Sequence, residues 1–460
     1  MSANSVFNIL KSKFNSQFPT SPNGEQIPPP GLHHYQFEST GERSRIHLRI
    51  DPGQDNEGAR GILLVNANRV LHLNPTATLM AFLALEKYPP KRAVKILQKQ
   101  YNVSNTQADH DYAKYIADLD LLIRPGDDSC PICDLDIEIT APFTSKPAAP
   151  YRMDLALTYR CNNDCAHCYN ARPRDFPELS TKKWKHIIDK VWETGIPHIV
   201  FTGGEPTLRE DLPELIQYAE QLGQITGINT NGRRLMDNHY LMELVDAGLD
   251  HVQITIESHD ERIHDSMVHR KGAWSQTITG LTNALDTPLF VMTNTTMLLQ
   301  NSPSLAETLD FLDRIGDPTI GLNALIYSGR GLTADTGLSE DELSPLLNIA
   351  RQITDLHGQR LIWYTPTQYC NFDPMQLELG VKGCTAALYN MCVEPNGGVI
   401  PCQSYYHQLG NLIDDTWDSI WNHDLSKSLR ERHYVLDKCH DCILLQECGG
   451  GCPLFLNASQ

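Results

Sequence analysis

The sequence lacks three features that would each define a class of protein. It contains no apolar run close to the roughly 20 residues that a membrane-spanning helix needs. Residues 1–30 lack the basic segment followed by an apolar one that is typical of a secretory signal. Basic residues are in the minority, with 38 Lys and Arg against 56 Asp and Glu. We therefore expect a cytoplasmic protein whose partners are neither nucleic acid nor a membrane.

Cysteine, in contrast, is abundant. The chain has 13 cysteines in 460 residues. Without an export signal, such cysteines predict metal sites rather than disulfides, because a reducing cytoplasm keeps thiols reduced. A chain of this length is too long for one ordinary core, so we expect two to four domains.

Three of the cysteines form a compact group. Cys161, Cys165 and Cys168 follow the apolar run Met153–Tyr159, which is typical of a buried strand that ends in a loop. Three thiolates in one loop can hold a four-iron cluster and leave one iron without a protein ligand. A zinc knot or a loop of reduced thiols is the alternative, although a closed zinc site needs four ligands.

This C-x3-C-x2-C loop resembles the signature of the radical SAM superfamily, with His167 in the slot that is usually aromatic. The resemblance implies that S-adenosylmethionine (SAM) binds the open iron. It also implies that an electron from the reduced cluster cleaves SAM to methionine and a 5'-deoxyadenosyl radical, which abstracts hydrogen from a substrate. A reducing electron donor such as flavodoxin or ferredoxin is then implied as a partner.

A second motif follows the next apolar run and resembles the Gly-Gly-Glu-Pro segment of the same family. Its residues are Gly203, Gly204, Glu205 and Pro206. Glycines allow the backbone to approach a ligand closely. The Glu205 carboxylate can accept a hydrogen bond from the SAM ammonium group.

From Met153 onward, short apolar runs alternate six times with helical segments, such as Thr181–Thr194 and Asp211–Leu222. This alternation predicts a parallel sheet with right-handed crossovers. It matches the α/β fold of the radical SAM core, a partial (β/α)6 TIM-like barrel. Active residues then belong at the carboxyl ends of the strands.

Several residues at those ends are candidate SAM contacts. Thr230 and Asn231 follow the third strand. By resemblance, Thr255 or Glu257 faces the SAM ribose or carboxylate, and Arg270 pairs with that carboxylate. The turn Tyr327–Gly331 follows the sixth strand and is a candidate for contact with SAM or substrate; simple loop geometry explains it as well.

The last fifth of the chain holds eight further cysteines: Cys370, Cys384, Cys392, Cys402, Cys439, Cys442, Cys448 and Cys452. Their spacing, with Cys384-x12-Gly397-x4-Cys402 before a C-x2-C-x5-C-x3-C run, resembles the SPASM extension, which holds two auxiliary four-iron clusters. The resemblance places three cysteines, Cys439, Cys442 and Cys448, on a distal cluster. It places Cys384, Cys402 and Cys452 on a proximal one, which makes three 4Fe-4S clusters in all.

The family pattern usually includes one more cysteine after the run, and this sequence departs from it. Eight thiolates suffice for two clusters if Cys370 and Cys392 each join one. We expect Cys370 on the proximal cluster, and either Cys392 or Cys133 on the distal one. The pair Cys130 and Cys133 can equally form half a metal site, a redox dithiol, a missing cluster ligand or an inert exposed pair. Structural zinc is the alternative for the C-terminal cysteines.

The sequence divides into a flexible arm (1–40), a small domain (41–124), a linker (125–150), the barrel (151–365) and the SPASM domain (366–460). The arm can carry one helical turn near Val6–Phe14. Three strands followed by three helices in the small domain resemble the winged-helix peptide-recognition domain of ribosomal-peptide maturases. There a leader peptide adds as a further strand to the sheet edge. A domain that only packs or dimerises is the alternative.

Together these features predict a radical SAM enzyme that modifies a ribosomally synthesised precursor peptide carrying a leader, by crosslinking, epimerisation or oxidation. Tailoring of a tetrapyrrole or another small molecule is the second hypothesis. A non-enzymatic electron carrier is the third, and the Gly-Gly-Glu-Pro segment argues against it. No pattern in the sequence indicates a catalytic acid or base.

Overall fold

A computed structural model describes residues 28–39, 42–51, 60–66, 69–123 and 147–458. The chain divides into two compact units, Met1–Thr140 and Ala141–Gln460. None of the helices in the described segments is long and apolar enough to cross a bilayer.

The first unit is a four-stranded antiparallel sheet followed by three helices. The strands pair in chain order and are β1 (Gly31–Ser39), β2 (Glu42–Asp51), β3 (Arg60–Val65) and β4 (Arg69–Leu73). The helices are α1 (Pro75–Leu85), α2 (Pro90–Tyr101) and α3 (Asn105–Ile123). Asn74 caps α1 by accepting a hydrogen bond from the Ala77 N–H, and a proline at the first helical position fixes the start. Apolar side chains from β2, β3 and all three helices form one core.

Strand β1 corrects the predicted extent of the N-terminal arm. The sequence predicts a flexible arm over residues 1–40. In the structure, Gly31–Ser39 pairs along its whole length with β2. Tyr35 and Phe37, two residues apart, pack against the core of the unit. This period of two is the strand signal that the prediction missed. The predicted turn near Val6–Phe14 and the pair Cys130 and Cys133 lie outside the described residues.

The second unit contains a ten-stranded sheet. Its parallel strands are β5 (Arg152–Thr158), β6 (His198–Gly203), β7 (Ile225–Thr230), β8 (His251–Thr255), β9 (Phe290–Thr296), β10 (Thr319–Asn323) and β11 (Arg360–Trp363). The connecting helices are α4 (Thr181–Glu193), α5 (Leu212–Leu222), α6 (Asn238–Asp246), α7 (Glu261–Met267), α8 (Ala273–Leu285), α9 (Leu305–Arg314) and α10 (Glu340–His357). Strands β5 to β11 lie side by side in chain order.

The six predicted strand and helix repeats are confirmed, because β5 to β10 correspond to the six apolar runs. Met153, Leu155 and Leu157 alternate along β5 toward the helical layer, where Trp184 of α4 is fully buried. The sheet extends beyond the six repeats on both sides: β11 adds a seventh parallel strand, and β12 (Asn390–Val393) pairs in parallel with β5.

The C-terminal part continues this sheet. Strands β13 (Gly398–Ile400) and β14 (Gly410–Asn411) extend it in antiparallel fashion from β12. Four short helices follow: α11 (Trp417–Trp421), α12 (Asp424–Arg430), α13 (Leu445–Cys448) and α14 (Pro453–Ala458). The cysteine-rich segment is therefore joined to the barrel strand that leads into the Cys161 loop.

Candidate active site and iron-sulfur centres

The Cys161–Cys168 loop begins just beyond the carboxyl end of β5, where the barrel fold predicts active residues. Its three thiols are free and partly exposed. Burial, followed by the charge of Glu205, raises the pKa of Cys161 to about 11. Burial and then the neighbouring Cys168 thiol raise the pKa of Cys165 well above its usual value. A metal cluster binds thiolates, so its assembly has to displace these protons.

Backbone hydrogen bonds from two other segments hold the loop in place. The N–H of Asp164 donates to the carbonyl of Val268 at 2.9 Å, and the N–H of Ala166 donates to Met267 at 3.1 Å. On the other side, the N–H of Arg330 donates to the carbonyl of Cys168 at 2.9 Å. The loop is thus bound to the segment after β8 and to the segment after β10.

Two arginines that the sequence analysis did not single out also fix the loop. Arg174 donates to the carbonyls of Cys161 at 2.8 Å and Asn163 at 2.6 Å. Arg233 donates to the carbonyl of Asn162 at 2.6 Å and to the Asn163 side chain at 2.9 Å. No sequence pattern marks either arginine, because most of these contacts are to main-chain oxygens.

The Gly-Gly-Glu-Pro segment packs against the strand end that leads into the cysteine loop. The N–H of Gly204 donates to Thr158 at 2.7 Å, and that of Glu205 donates to Arg160 at 2.9 Å. A Cβ on Gly203, whose φ is +133°, would lie 2.1 Å from the Thr158 carbonyl oxygen. Both glycines are needed for this close backbone approach.

Glu205 is a buried residue that accepts hydrogen bonds from the ends of two strands, β6 and β7. Its side chain is 1% exposed. One carboxylate oxygen accepts from the Thr207 N–H and hydroxyl and from the Thr230 hydroxyl, at 3.1, 2.6 and 2.7 Å. The other accepts from the Asn231 N–H at 2.8 Å. A carboxylate offers about four acceptor positions, two on each oxygen, so the second oxygen, with one donor, keeps one position open. The predicted bond from this carboxylate to a SAM ammonium stays a prediction.

Asn231 and Glu257 connect further strand ends to the loop. The Asn231 side-chain amide donates to Asn162 at 2.6 Å. Glu257, after β8, lies 2.9 Å from His167 Nε2 and accepts from the Thr296 N–H at 3.1 Å. Glu257 is therefore a structural partner of the residue in the aromatic slot.

The remaining predicted SAM contacts fall at the same end of the barrel. Pro206 begins a single 3-10 turn, and Thr255 is the partly exposed last residue of β8. Arg270 is exposed. Burial, followed by the positive charge of Arg270, lowers the pKa of Arg233, so these two guanidinium groups are neighbours.

The turn after β10 contacts the cysteine loop. Arg330 Nη1 lies 2.9 Å from Asp164 Oδ1. Gly329 has a φ of +55°, and a Cβ there would lie 2.6 Å from the carbonyl oxygen of Asn170. The turn is therefore held by the cysteine loop, in keeping with simple loop geometry, and its contact with SAM or substrate stays a prediction.

The loop also reaches the C-terminal cysteines. The Tyr169 hydroxyl, one residue after Cys168, donates to the Gln403 side chain at 3.3 Å, one residue after Cys402. Beside this contact, Arg172 and the fully buried Glu394 form two hydrogen bonds, at 2.7 and 3.0 Å. The hydrogen bond between Tyr169 and Gln403 thus links the residue after Cys168, a predicted ligand of the SAM-binding cluster, to the residue after Cys402, a predicted ligand of the proximal cluster.

Cys384, Cys402 and Cys452 lie near one another, and their binding of a proximal cluster stays a prediction. Burial and then the Cys452 and Cys402 thiols raise the pKa of Cys384. Burial also raises the pKa of Cys402 to about 12, with Cys452 as the nearby thiol that adds to the effect. Three thiols gathered in a partly buried position fit a cluster of this kind.

Cys370 lies near the distal cysteines, whereas the sequence predicts it on the proximal cluster. The adjacent Tyr369 N–H donates to Cys448 Sγ at 3.3 Å. Burial raises the pKa of Cys448, and the Cys370 and Cys439 thiols raise it further. The fold brings the turn after β11 onto the distal cysteines, a long-range contact that sequence spacing does not encode.

Cys392 is also placed differently from the prediction. It lies in β12, opposite Ile400 on one side and Asp154 on the other. It is 1% exposed and packs among Ala156, Tyr159 and Ile400. Burial, then the charges of Asp154 and of Cys402 in the proximal group, raise the pKa of Cys392 well above its usual value.

Across the described segments, no three His, Cys, Asp or Glu side chains are arranged to hold a single metal ion. An iron-sulfur cluster distributes its thiolates over separate irons. Its cysteines therefore stand farther apart than the ligands of one ion.

Family models match both halves of this arrangement. The radical SAM superfamily model matches residues 155–312, which hold the Cys161 loop and the Gly-Gly-Glu-Pro segment. The SPASM model, an iron-sulfur cluster-binding domain, matches residues 384–443. The chain belongs to the radical SAM superfamily and carries a SPASM domain. It is an enzyme that uses SAM and iron-sulfur clusters.

Characterised relatives differ in substrate. The chain is 30% identical to Fe-coproporphyrin III synthase of Methanosarcina barkeri, over 64% of this chain and 81% of that protein. It is 28% identical to the PqqA peptide cyclase of Bradyrhizobium diazoefficiens, over 66% and 81%. An AdoMet-dependent heme synthase of Oleidesulfovibrio alaskensis is 26% identical, over 64% and 80%.

Two solved structures share the fold. SuiB of Streptococcus suis, bound to the precursor peptide SuiA, matches 90% of this chain and 95% of that chain, with a TM-score of 0.64 and 16% identity. anSMEcpe with bound AdoMet and a peptide matches 65% of this chain and 89% of that chain, with a TM-score of 0.54 and 16% identity. The match to SuiB shows that its fold extends over nine tenths of this chain.

Proposed function

We propose that this protein is a peptide maturase, which uses the 5'-deoxyadenosyl radical to abstract hydrogen from a ribosomally synthesised precursor peptide. The observation that carries this proposal is the extent of the likeness to SuiB. The sequence relatives that include the porphyrin enzymes align with about two thirds of this chain, whereas the fold of SuiB, a protein solved with its precursor peptide, covers 90% of it.

The first unit offers a suitable edge for a leader peptide. Strand β4 pairs with β3 on one side, and no strand in the described part of the chain pairs with its other side. Strand β1 occupies the opposite edge of the sheet, next to β2. Exposed and partly buried residues alternate along β4, and Leu71 and Leu73 pack against the core. Main-chain hydrogen bonds along such an edge supply affinity, and pockets for alternate side chains supply specificity.

Strand addition predicts a distinctive effect of proline. Successive N–H groups of an edge strand point alternately toward its neighbour and away from it. Of the two variants Val70→Pro and Leu71→Pro, one therefore removes an N–H used by β3 and the other removes an N–H that a peptide would use. The variant that removes the N–H used by β3 should lower the melting temperature. The variant that removes the outward N–H should abolish peptide binding with little loss of stability.

Titration of synthetic peptides, taken from short reading frames beside the gene, measures this binding. Val70→Ala keeps the N–H and serves as the matched control, which should bind normally. A peptide that binds equally to both proline variants would contradict strand addition at this edge.

The 30% identity to Fe-coproporphyrin III synthase favours a second candidate, a porphyrin substrate. Incubation of the cluster-loaded enzyme with SAM, reductant and iron coproporphyrin III separates the two. If the enzyme converts the porphyrin and binds none of the peptides encoded beside its gene, the porphyrin proposal would replace the peptide proposal.

A further inference from the structure

Cys370 lies at the surface, in a turn that the SPASM spacing does not include. The N–H groups of Asn371 and Phe372 both donate to the carbonyl of Gln368, at 2.8 and 2.9 Å, which closes a tight turn around Cys370. Glu340, at the start of α10, accepts from the Gln368 N–H at 2.9 Å and from the Asn371 amide at 2.8 Å. A helix terminus thus fixes the position of this turn.

The same turn packs directly on the distal cysteine segment. Cys448 Sγ accepts from the Tyr369 N–H at 3.3 Å and lies 3.6 Å from the Thr367 carbonyl oxygen. Gly451 packs so closely that a Cβ on it would lie 3.1 Å from the Gln368 side chain. Cys370 therefore follows directly on a chain segment whose residues Thr367 and Tyr369 both contact a predicted cluster ligand.

The other members of this group are gathered by local structure. The N–H of Cys442 donates to the carbonyl of Cys439 at 3.1 Å, and the N–H of Cys448 donates to Leu444 at 2.8 Å. These two short turns bring Cys439, Cys442 and Cys448 to one end of the C-terminal part. Cys370 and Cys442 are exposed and Cys448 is buried, as expected for a cluster held close to the surface.

We propose that Cys370 is the fourth thiolate ligand of the distal cluster, together with Cys439, Cys442 and Cys448. Four protein thiolates occupy all four irons of such a cluster. The distal cluster then has no open iron for a substrate atom, and its role is electron transfer. This inference does not depend on whether the substrate is a peptide or a porphyrin.

Cys392 is the natural comparison, since it is the other C-terminal cysteine outside the SPASM spacing. It is held within β12, is 1% exposed and packs among apolar residues of the proximal side. Replacing it by Ala should leave the distal cluster intact.

The test uses the full chain with Cys161, Cys165 and Cys168 replaced by Ala, so that only the auxiliary clusters remain. Anaerobic reconstitution should load about eight irons if both clusters hold four. Adding Cys370→Ala should reduce this number or convert the distal cluster to a three-iron form, which is paramagnetic when oxidised. Adding Cys392→Ala should leave the distal EPR signal unchanged.

A second measurement needs no variant. In the unsubstituted, cluster-loaded protein, exposed Cys370 should resist alkylation by iodoacetamide and become labelled after iron is chelated. Rapid labelling in the loaded protein would overturn the proposal. So would a Cys370→Ala chain whose iron content and EPR spectra match those of its parent.

Discussion

His167 Nε2 lies 2.9 Å from Glu257 Oε1, and the two side chains are 9% and 1% exposed. His167 occupies the slot between Cys165 and Cys168, whereas Glu257 follows β8. The second Glu257 oxygen accepts from the Thr296 N–H beside β9. The pair therefore ties the cysteine loop to two strand ends across the mouth of the barrel.

Removing one partner of this pair should be more costly than removing both. His167→Phe leaves the buried Glu257 carboxylate without a major partner, and we expect it to lower the free energy of unfolding by about 2–3 kcal/mol. Adding Glu257→Gln replaces the buried charge by a neutral amide and should restore part of this loss. Urea unfolding of the loaded enzyme under anaerobic conditions measures the cycle, with Glu257→Gln alone as the control. Strictly additive effects would show that the pair is not coupled.

The three loop cysteines should be necessary for SAM cleavage and dispensable for the C-terminal clusters. Replacing all three by Ala removes every protein ligand of the SAM-binding cluster. Production of 5'-deoxyadenosine should then fall to background, while iron stays bound at the C-terminal cysteines. Undiminished cleavage would refute the assignment of this loop. Zinc in place of iron at the C-terminal cysteines would refute the auxiliary clusters.

Arg233 should matter for the SAM-binding cluster more than its neighbour Arg270 does. Arg233 holds the carbonyl of Asn162 within the loop, whereas Arg270 is exposed. Arg233→Ala should therefore lower the occupancy of this cluster, by up to about four irons per chain. Arg270→Ala is the matched control and should retain its iron; if Arg270 binds the SAM carboxylate, it will lose SAM affinity instead. Equal iron loss in both variants would contradict the role of Arg233.

The barrel could be predicted from the sequence because its signals are local. Each parallel strand is a short apolar run, and helix ends are marked by residues such as Ser180 before α4 and Gly223 after α5. The cysteine loop and the Gly-Gly-Glu-Pro segment directly follow β5 and the core of β6, so their meeting at one end of the barrel also follows from the order of elements.

The errors arise where contacts are distant in sequence. Cys370 joins Cys448, 78 residues later, only because the turn after β11 folds onto the C-terminal part. Arg174 and Arg233 bind main-chain oxygens, which leave no pattern in the side chains. Strand β1 was missed because its alternating aromatics are embedded in a polar, His-rich stretch.

Gly329 should be far less replaceable than Gly316, although both have a positive φ. Gly316 follows α9 with φ +86° and open space around its Cα, whereas a Cβ on Gly329 would meet the Asn170 backbone at 2.6 Å. Gly316→Ala should cost about 1–2 kcal/mol from the left-handed backbone alone. Gly329→Ala adds a clash of about 1–3 kcal/mol and should also reduce loading of the SAM-binding cluster. Thermal unfolding and iron analysis compare the two variants. Equal effects of Gly316→Ala and Gly329→Ala would contradict the tight packing of the turn after β10.

Asp317, between α9 and β10, should make the stability of the barrel depend on pH. Its carboxylate accepts from the Thr293 hydroxyl at 2.6 Å, and the residue is 1% exposed. Burial raises its pKa from 3.8 to about 7. The folded protein therefore binds this proton more tightly than the unfolded chain, and the associated stability is lost as the pH rises through 7.

Asp317→Asn removes the titrating group and with it this pH dependence. Relative to the unsubstituted protein, the variant should gain about 1 kcal/mol of unfolding free energy between pH 6 and pH 8. Urea unfolding at the two pH values measures the difference, with each protein held under the same anaerobic conditions. Asp286→Asn, at an exposed position just after α8, is the matched control and should show no such gain. An unchanged difference between Asp317→Asn and the unsubstituted protein at both pH values would mean that Asp317 does not titrate in this range, and that its buried carboxyl is ionised throughout.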